Sequence, residues 1–174
     1  KEEEQKKLWD EISKKLDEIH SLWNSFEAEG IKKGATKEMG DKFENNFNKM
    51  TKAIEDKNII DIYDYSAESF LSLKPLFDLY TEEIGGDVSA IKYSAYKAYT
   101  KTLKGENQEA AQLLTGREEN INKIRLKMTE EKEKEQVEKI SMAIGDFKNS
   151  LSEKSRMLHM IKKDIVIENL KKLE

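Results

Sequence analysis

The chain has 174 residues, a charged fraction of 38%, a net charge of −4, one proline, eight glycines and no cysteine. Without cysteine it has no disulfide, thiolate nucleophile or thiolate metal site. A mildly acidic chain with no basic stripe interleaved with aromatics argues against nucleic acid as a partner. No apolar run approaches the roughly 18 residues of a membrane span, and the length suits one domain over residues 1–174.

So few helix breakers leave periodicity to decide, and it predicts helix nearly everywhere. Residues 1–7, KEEEQKK, read as a polar tether. A start without an initiator Met fits a chain freed from a leader, and so an exported protein. Trp9, Ile12, Leu16, Ile19, Trp23 and Phe26 then follow spacings of three and four, a seam of the coiled-coil kind. Gly34 is placed to stop this first helix. Met39, Phe43, Phe47, Met50 and Ile54 mark the second helix. The third is expected from Ile59 to Tyr80 with Phe70, Leu73, Phe77 and Tyr80 on one face, kinked or divided at Pro75. The GGD at 85–87 reads as a break with Asp87 as the next N-cap.

The fourth helix carries Val88, Ile91, Ala95 and Ala98, with Tyr96, Tyr99 and Leu103 beside them. The fifth is expected to carry Ala110, Leu114, Ile121, Ile124 and Met128. TEEKEKEQ is either a solvated helix face or a flexible connection. The sixth has Val137, Ile140, Ile144, Phe147 and Leu151. The seventh has Leu158, Ile161 and Ile165 as its main buried stripe, continued by Leu170 and Leu173. Turns at 55–58, 104–107 and 152–155 suggest three helical hairpins, either true repeats of about 50 residues or hairpins of similar length. The expected fold is therefore all-α: an antiparallel bundle of six or seven amphipathic helices arranged as hairpins.

Three groups of residues invite a chemical reading. Met157, His159 and Met160 lie within four residues, and His20 is the chain's other histidine. Methionine and imidazole together suit Cu(I), but one straight helix converges such ligands poorly. On the bland reading the methionines fill gaps in the core, and His159 and His20 are edge residues, with His159, Lys162, Lys163 and Val166 on a wet side. Tyr93, Tyr96 and Tyr99 form a row that reads either as a half-buried rim whose hydroxyls reach solvent or, with Trp23, as rigid apolar area with polar tips, the composition of a surface for a ligand or partner. No Glu-x-x-His pair, His-Glu-x-x-His helix, nucleophile elbow or phosphate loop is present. No catalytic set and no cofactor are therefore expected.

LWDEISKKLDEIHSLWNSFE, KFENNFNKMTKAIEDKN and the closing IENLKKLE resemble the mature part of uncharacterised helical lipoproteins of low-GC Gram-positive bacteria. The resemblance implies an extracytoplasmic domain held at the cell surface, touching the membrane only through a lipid anchor that this sequence does not contain. It implies no catalytic residue. The resulting expectation is a non-enzymatic cell-envelope domain that binds a protein or a small ligand. The alternatives are an extracytoplasmic copper-type Met/His protein and a cytosolic helical-repeat scaffold.

Overall fold

The computed structural model describes residues 1–174 and is all-helical. Its elements are α1 (Glu2–Lys32), α2 (Lys37–Glu55), α3 (Ile59–Phe77), α4 (Gly85–Leu103), α5 (Asn107–Thr115), α6 (Glu118–Lys127), α7 (Glu131–Ser150) and α8 (Arg156–Lys171). The turns anticipated at 55–58, 104–107 and 152–155 all fall at junctions between helices.

Three helices end in the same way. Gly34 takes a φ of 101° after α1, Lys57 a φ of 54° after α2 and Gly105 a φ of 78° after α4. In each case the following amide reaches back to the last turn: Ala35 N–H to the Gly30 carbonyl, Asn58 to Ala53 and Glu106 to Lys101, each at 2.9 Å. A left-handed residue lets the backbone satisfy its own last carbonyls. Lys57 does this with a Cβ, which is unfavourable in that region.

Helix starts are capped by short polar side chains. Thr36 Oγ1 accepts from Met39 N–H, Asn58 Oδ1 from Asp61 N–H and Ser155 Oγ from Leu158 N–H. Glu130 and Glu133 form a reciprocal capping box, so the TEEKEKEQ run is a helix face, the exposed first turns of α7. Ser155→Ala should lower unfolding free energy by about 1 kcal/mol, read by urea denaturation; a change near zero would mean that α8 is held by packing alone.

Several boundaries differ from the sequence reading. Residues 2–7 continue α1 as exposed helix rather than forming a tether. The predicted fifth helix is two, α5 and α6, because the chain leaves helical geometry at Gly116 and Arg117. Leu114 and Ile121 still both face the core, so their spacing gave no warning of the break. Pro75 falls in the last turn of α3, which ends at Phe77 rather than Tyr80. Asp87 is not an N-cap: α4 starts at Gly85, and Asp87 is buried, its Oδ1 accepting from Asn120 Nδ2 of α6 at 2.9 Å. An added Cβ on Gly86 would lie 1.9 Å from Asp78 Oδ1, so a larger residue there would have to turn the Asp78 side chain aside.

The core has two parts. The larger spans α4 to α8 and holds Val88, Ile91, Ile121, Ile124, Ile140, Phe147, Val166 and Leu170. α4 runs through its middle, packed on α3, α5, α6 and α8. Ser89, Ala90, Ser94, Ala95 and Ala98 are buried around its circumference, and small side chains let those neighbours approach closely. The smaller part joins α1, α2 and α3 through Trp23, Phe43, Phe47 and Leu76.

α1 is about 46 Å long at 1.5 Å per residue, yet it docks through a narrow seam. Trp23 packs at a tilt against Phe43 with ring centroids 4.4 Å apart, and His20 against Phe47 at 4.2 Å. Phe26 meets Phe77 and Tyr80, both at 6.2 Å. Of the predicted seam only Trp23 is fully buried, and Ile19 stays 42% exposed.

Candidate functional site

α8 presents a different face to the core from the one its sequence suggests. His159, Lys163, Val166, Ile167 and Leu170 are buried, while Ile161 and Ile165 are largely exposed. The stripe at 159, 163, 166 and 170 also has helical spacing, and it is this one that meets α4 and α7. The side expected to be wet is therefore the dry one. Burial is afforded by specific partners: His159 Nε2–H donates to the Ser150 carbonyl at 3.0 Å, and Lys163 Nζ pairs with Asp164 at 2.7 Å.

The structure does not bring the Met/His residues together. His159 is 3% exposed and turned inward, whereas Met157 is 70% exposed; Met160 is also exposed. His20 lies in the smaller core, its Nε2 3.1 Å from Thr51 Oγ1 on α2. His159 faces the larger core. Nowhere do three His, Cys, Asp or Glu side chains gather as a metal set.

The tyrosine row divides. Residues three apart on a helix are about 60° out of line, so Tyr93 and Tyr99 diverge across two steps. Tyr96 and Tyr99 turn toward Tyr63 of α3, with ring centroids 6.2 and 5.0 Å from it. These three rings surround the ammonium of Lys163, at 4.7 Å from Tyr63, 5.0 Å from Tyr99 and 5.6 Å from Tyr96. The negative faces of the rings stabilise the cation, so a buried lysine is tolerated beside one carboxylate. Burial pushes the Tyr96 hydroxyl up to about 12 and raises Tyr99 as well.

Tyr93 faces the other way, into a shallow depression with Lys97, Lys101, Glu109, Gln112 and Arg117. Burial opposes the charge on Lys97, but bonds to Asp64 at 2.6 Å and Glu68 at 2.9 Å override it and hold its pKa above the usual lysine range. Trp23 is buried rather than displayed, so it belongs to the core and not to a tyrosine surface.

What the sequence reading missed is a groove of about 440 Å³ assembled from four helices. Ile19 of α1 forms one lip. Phe43, Phe47 and Met50 of α2 form the floor, and Phe70 and Leu73 of α3 with Tyr96 of α4 form the far wall. No carboxylate, imidazole or amine lines it. Its two serine hydroxyls are engaged: Ser66 donates to the Ile62 carbonyl at 2.6 Å and Ser69 to the Tyr65 carbonyl at 2.7 Å. The size falls within the roughly 300–1,000 Å³ of small-ligand sites, which are likewise mostly apolar. Ile19, a member of the predicted seam of α1, is left partly uncovered by the docking of that helix, and nothing in the sequence marked it out.

No helix is long and apolar enough to cross a membrane. Comparison with protein-family models, with curated proteins and with solved structures finds no match to this chain.

Proposed function

We propose that the protein is a non-enzymatic binding domain of the cell envelope, and that the groove under Ile19 takes an apolar or aromatic small molecule. The observation that carries this is the lining: nine of its eleven residues are hydrophobic, and the two serines have committed their protons to the backbone. A ligand there gains by removing apolar surface from water, at roughly 25 cal/mol per Å². The envelope setting rests on the resemblance of the first two helices and the last to Gram-positive lipoproteins.

The neutral fluorophore N-phenylnaphthylamine should bind with enhanced emission. Ile19→Glu puts a charge on the half-exposed lip without touching the buried core, and should weaken binding about tenfold. Absence of binding, or binding indifferent to Ile19→Glu, would remove the groove from consideration.

A further inference from the structure

We infer that the ligand of this groove is an uncharged aromatic compound carrying one carbonyl or hydroxyl oxygen, its rings among those of the groove and its oxygen against the Tyr63 and Tyr96 hydroxyls. The inference rests on the reading of the groove given above and adds the class of ligand.

Five of the eleven lining side chains are aromatic, in a chain with 8% aromatic residues. Aromatic contacts contribute beyond the area they bury, so a flat ring gains more here than an alkyl chain of equal area. The groove also holds four hydroxyls, of which two are spent. Ser66 and Ser69 donate to carbonyls of their own helix. The hydroxyls of Tyr63 and Tyr96 bond to no group of the chain, and neither is sealed from solvent. The two rings have centroids 6.2 Å apart. Their hydroxyls are near enough for Tyr63 to add to the burial that keeps the proton on Tyr96. Without a ligand, water satisfies both. A pure hydrocarbon that displaced this water would leave them unpaired, at a larger cost than a hydrogen bond's net contribution. A carbonyl oxygen has two lone pairs with which to accept from both; a hydroxyl can accept from one and donate to the other.

A charged ligand has little to gain at this end. The carboxylates felt at Tyr96 are Asp164 and Glu168. The ammonium groups over rings of the lining are Lys163, near Tyr63 and Tyr96, and Lys92, near Phe70. Each of these charges is already paired: Lys163 with Asp164 at 2.7 Å, Glu168 with Lys171 at 3.1 Å, and Lys92 with Glu174. None of them lines the groove. An anion or a cation would give up its water on entering and find no free counter-charge. An uncharged oxygen gives up less and meets two free hydroxyls.

The test uses one ring system with four substituents of similar size at the same position: acetylnaphthalene, ethylnaphthalene, naphthoate and naphthylmethylammonium. Each is titrated calorimetrically, near neutral pH, into the whole chain and into the double variant Tyr63→Phe, Tyr96→Phe. The variant should bind acetylnaphthalene about fivefold more weakly than the parent, the size of one hydrogen bond between neutral groups. It should bind ethylnaphthalene as well as the parent or better, which also shows that the variant is folded. In the parent, both ions should bind at least about tenfold more weakly than acetylnaphthalene. A variant that treats the acetyl and ethyl compounds alike would overturn the inference and keep the apolar groove, and so would an ion that binds as tightly as acetylnaphthalene. Binding of none of the four would overturn the groove reading itself.

Discussion

Replacing Phe47 with alanine should cost about 3–5 kcal/mol, and the loss should appear first in α1. Phe47 is 1% exposed and central to the smaller core. It stacks on Phe43 with centroids 5.5 Å apart and carries the His20 ring at 4.2 Å. It also underlies the groove. α1 has few other holds: His20 to Thr51, Trp23 to Phe43, Phe26 to the end of α3, and Trp9 beneath the Lys57 ammonium at 5.5 Å. Removing the ring leaves a void under the middle of this narrow seam. Amide hydrogen exchange should therefore show protection falling in α1 and the facing turns of α2, while α4 and α7 keep theirs. Phe147→Ala in the larger core should have a similar total cost and the opposite distribution, since Phe147 is fully buried in the core built by α4 to α8. Equal loss across all helices in both variants would show that the two cores unfold as one unit.

The contrast between the two cores explains what could be read from the sequence. Val137, Ile140, Ile144, Phe147 and Leu151 recur at helical spacing and are all buried, because α7 has one wet side and one dry side. Phe43 and Phe47 follow the same rule. The rule fails where a helix has more than one apolar face. α8 carries Leu158, Ile161 and Ile165 on one side and Val166, Ile167 and Leu170 on another, and periodicity does not say which meets α4. The buried face includes a histidine and a lysine, residues that composition places outside. The Ser150 carbonyl for His159, and Asp164 with the tyrosines of α3 and α4 for Lys163, make that burial tolerable.

α4 is the converse. Ringed by neighbours, it shows little amphipathic contrast, and its serines and alanines read as weak signal although they are the most enclosed stretch of the chain. The candidate site was illegible for a related reason. A groove belongs to the space between elements: Ile19, Phe47, Phe70 and Tyr96 come from four helices, and each helix alone shows an ordinary apolar residue. Tyr96 and Tyr99 were legible as a pair of interest. Their companion Tyr63 and the lysine they enclose depend on how α3 and α8 pack.

The enclosed tyrosines lead to the second large effect, a loss of stability at alkaline pH that Tyr96→Phe should blunt. Burial is the main cause that raises the Tyr96 hydroxyl to about 12, with Tyr63, Asp164 and Glu168 adding to it. In the unfolded chain the same group ionises near pH 10. Below pH 10 both states hold the proton and this group favours neither. Between about pH 10 and 12 the unfolded chain releases it while the folded one retains it, so stability falls as pH rises through that window. The ceiling on the Tyr96 share is about 2–3 kcal/mol, from two pKa units at 1.36 kcal/mol each. Tyr93 and Tyr99, both raised by burial, and Lys97, raised by its carboxylates, push in the same direction, so the parent protein should lose more than the Tyr96 share alone. Phenylalanine keeps a ring against Phe70 and Lys163 but has no proton to lose. Urea unfolding at about pH 8 should find the variant close to the parent, and at about pH 11 it should find the variant losing less of its stability, by about 1 kcal/mol. Parallel profiles would mean that Tyr96 ionises in the fold as readily as in water, and that the box around Lys163 is open to solvent.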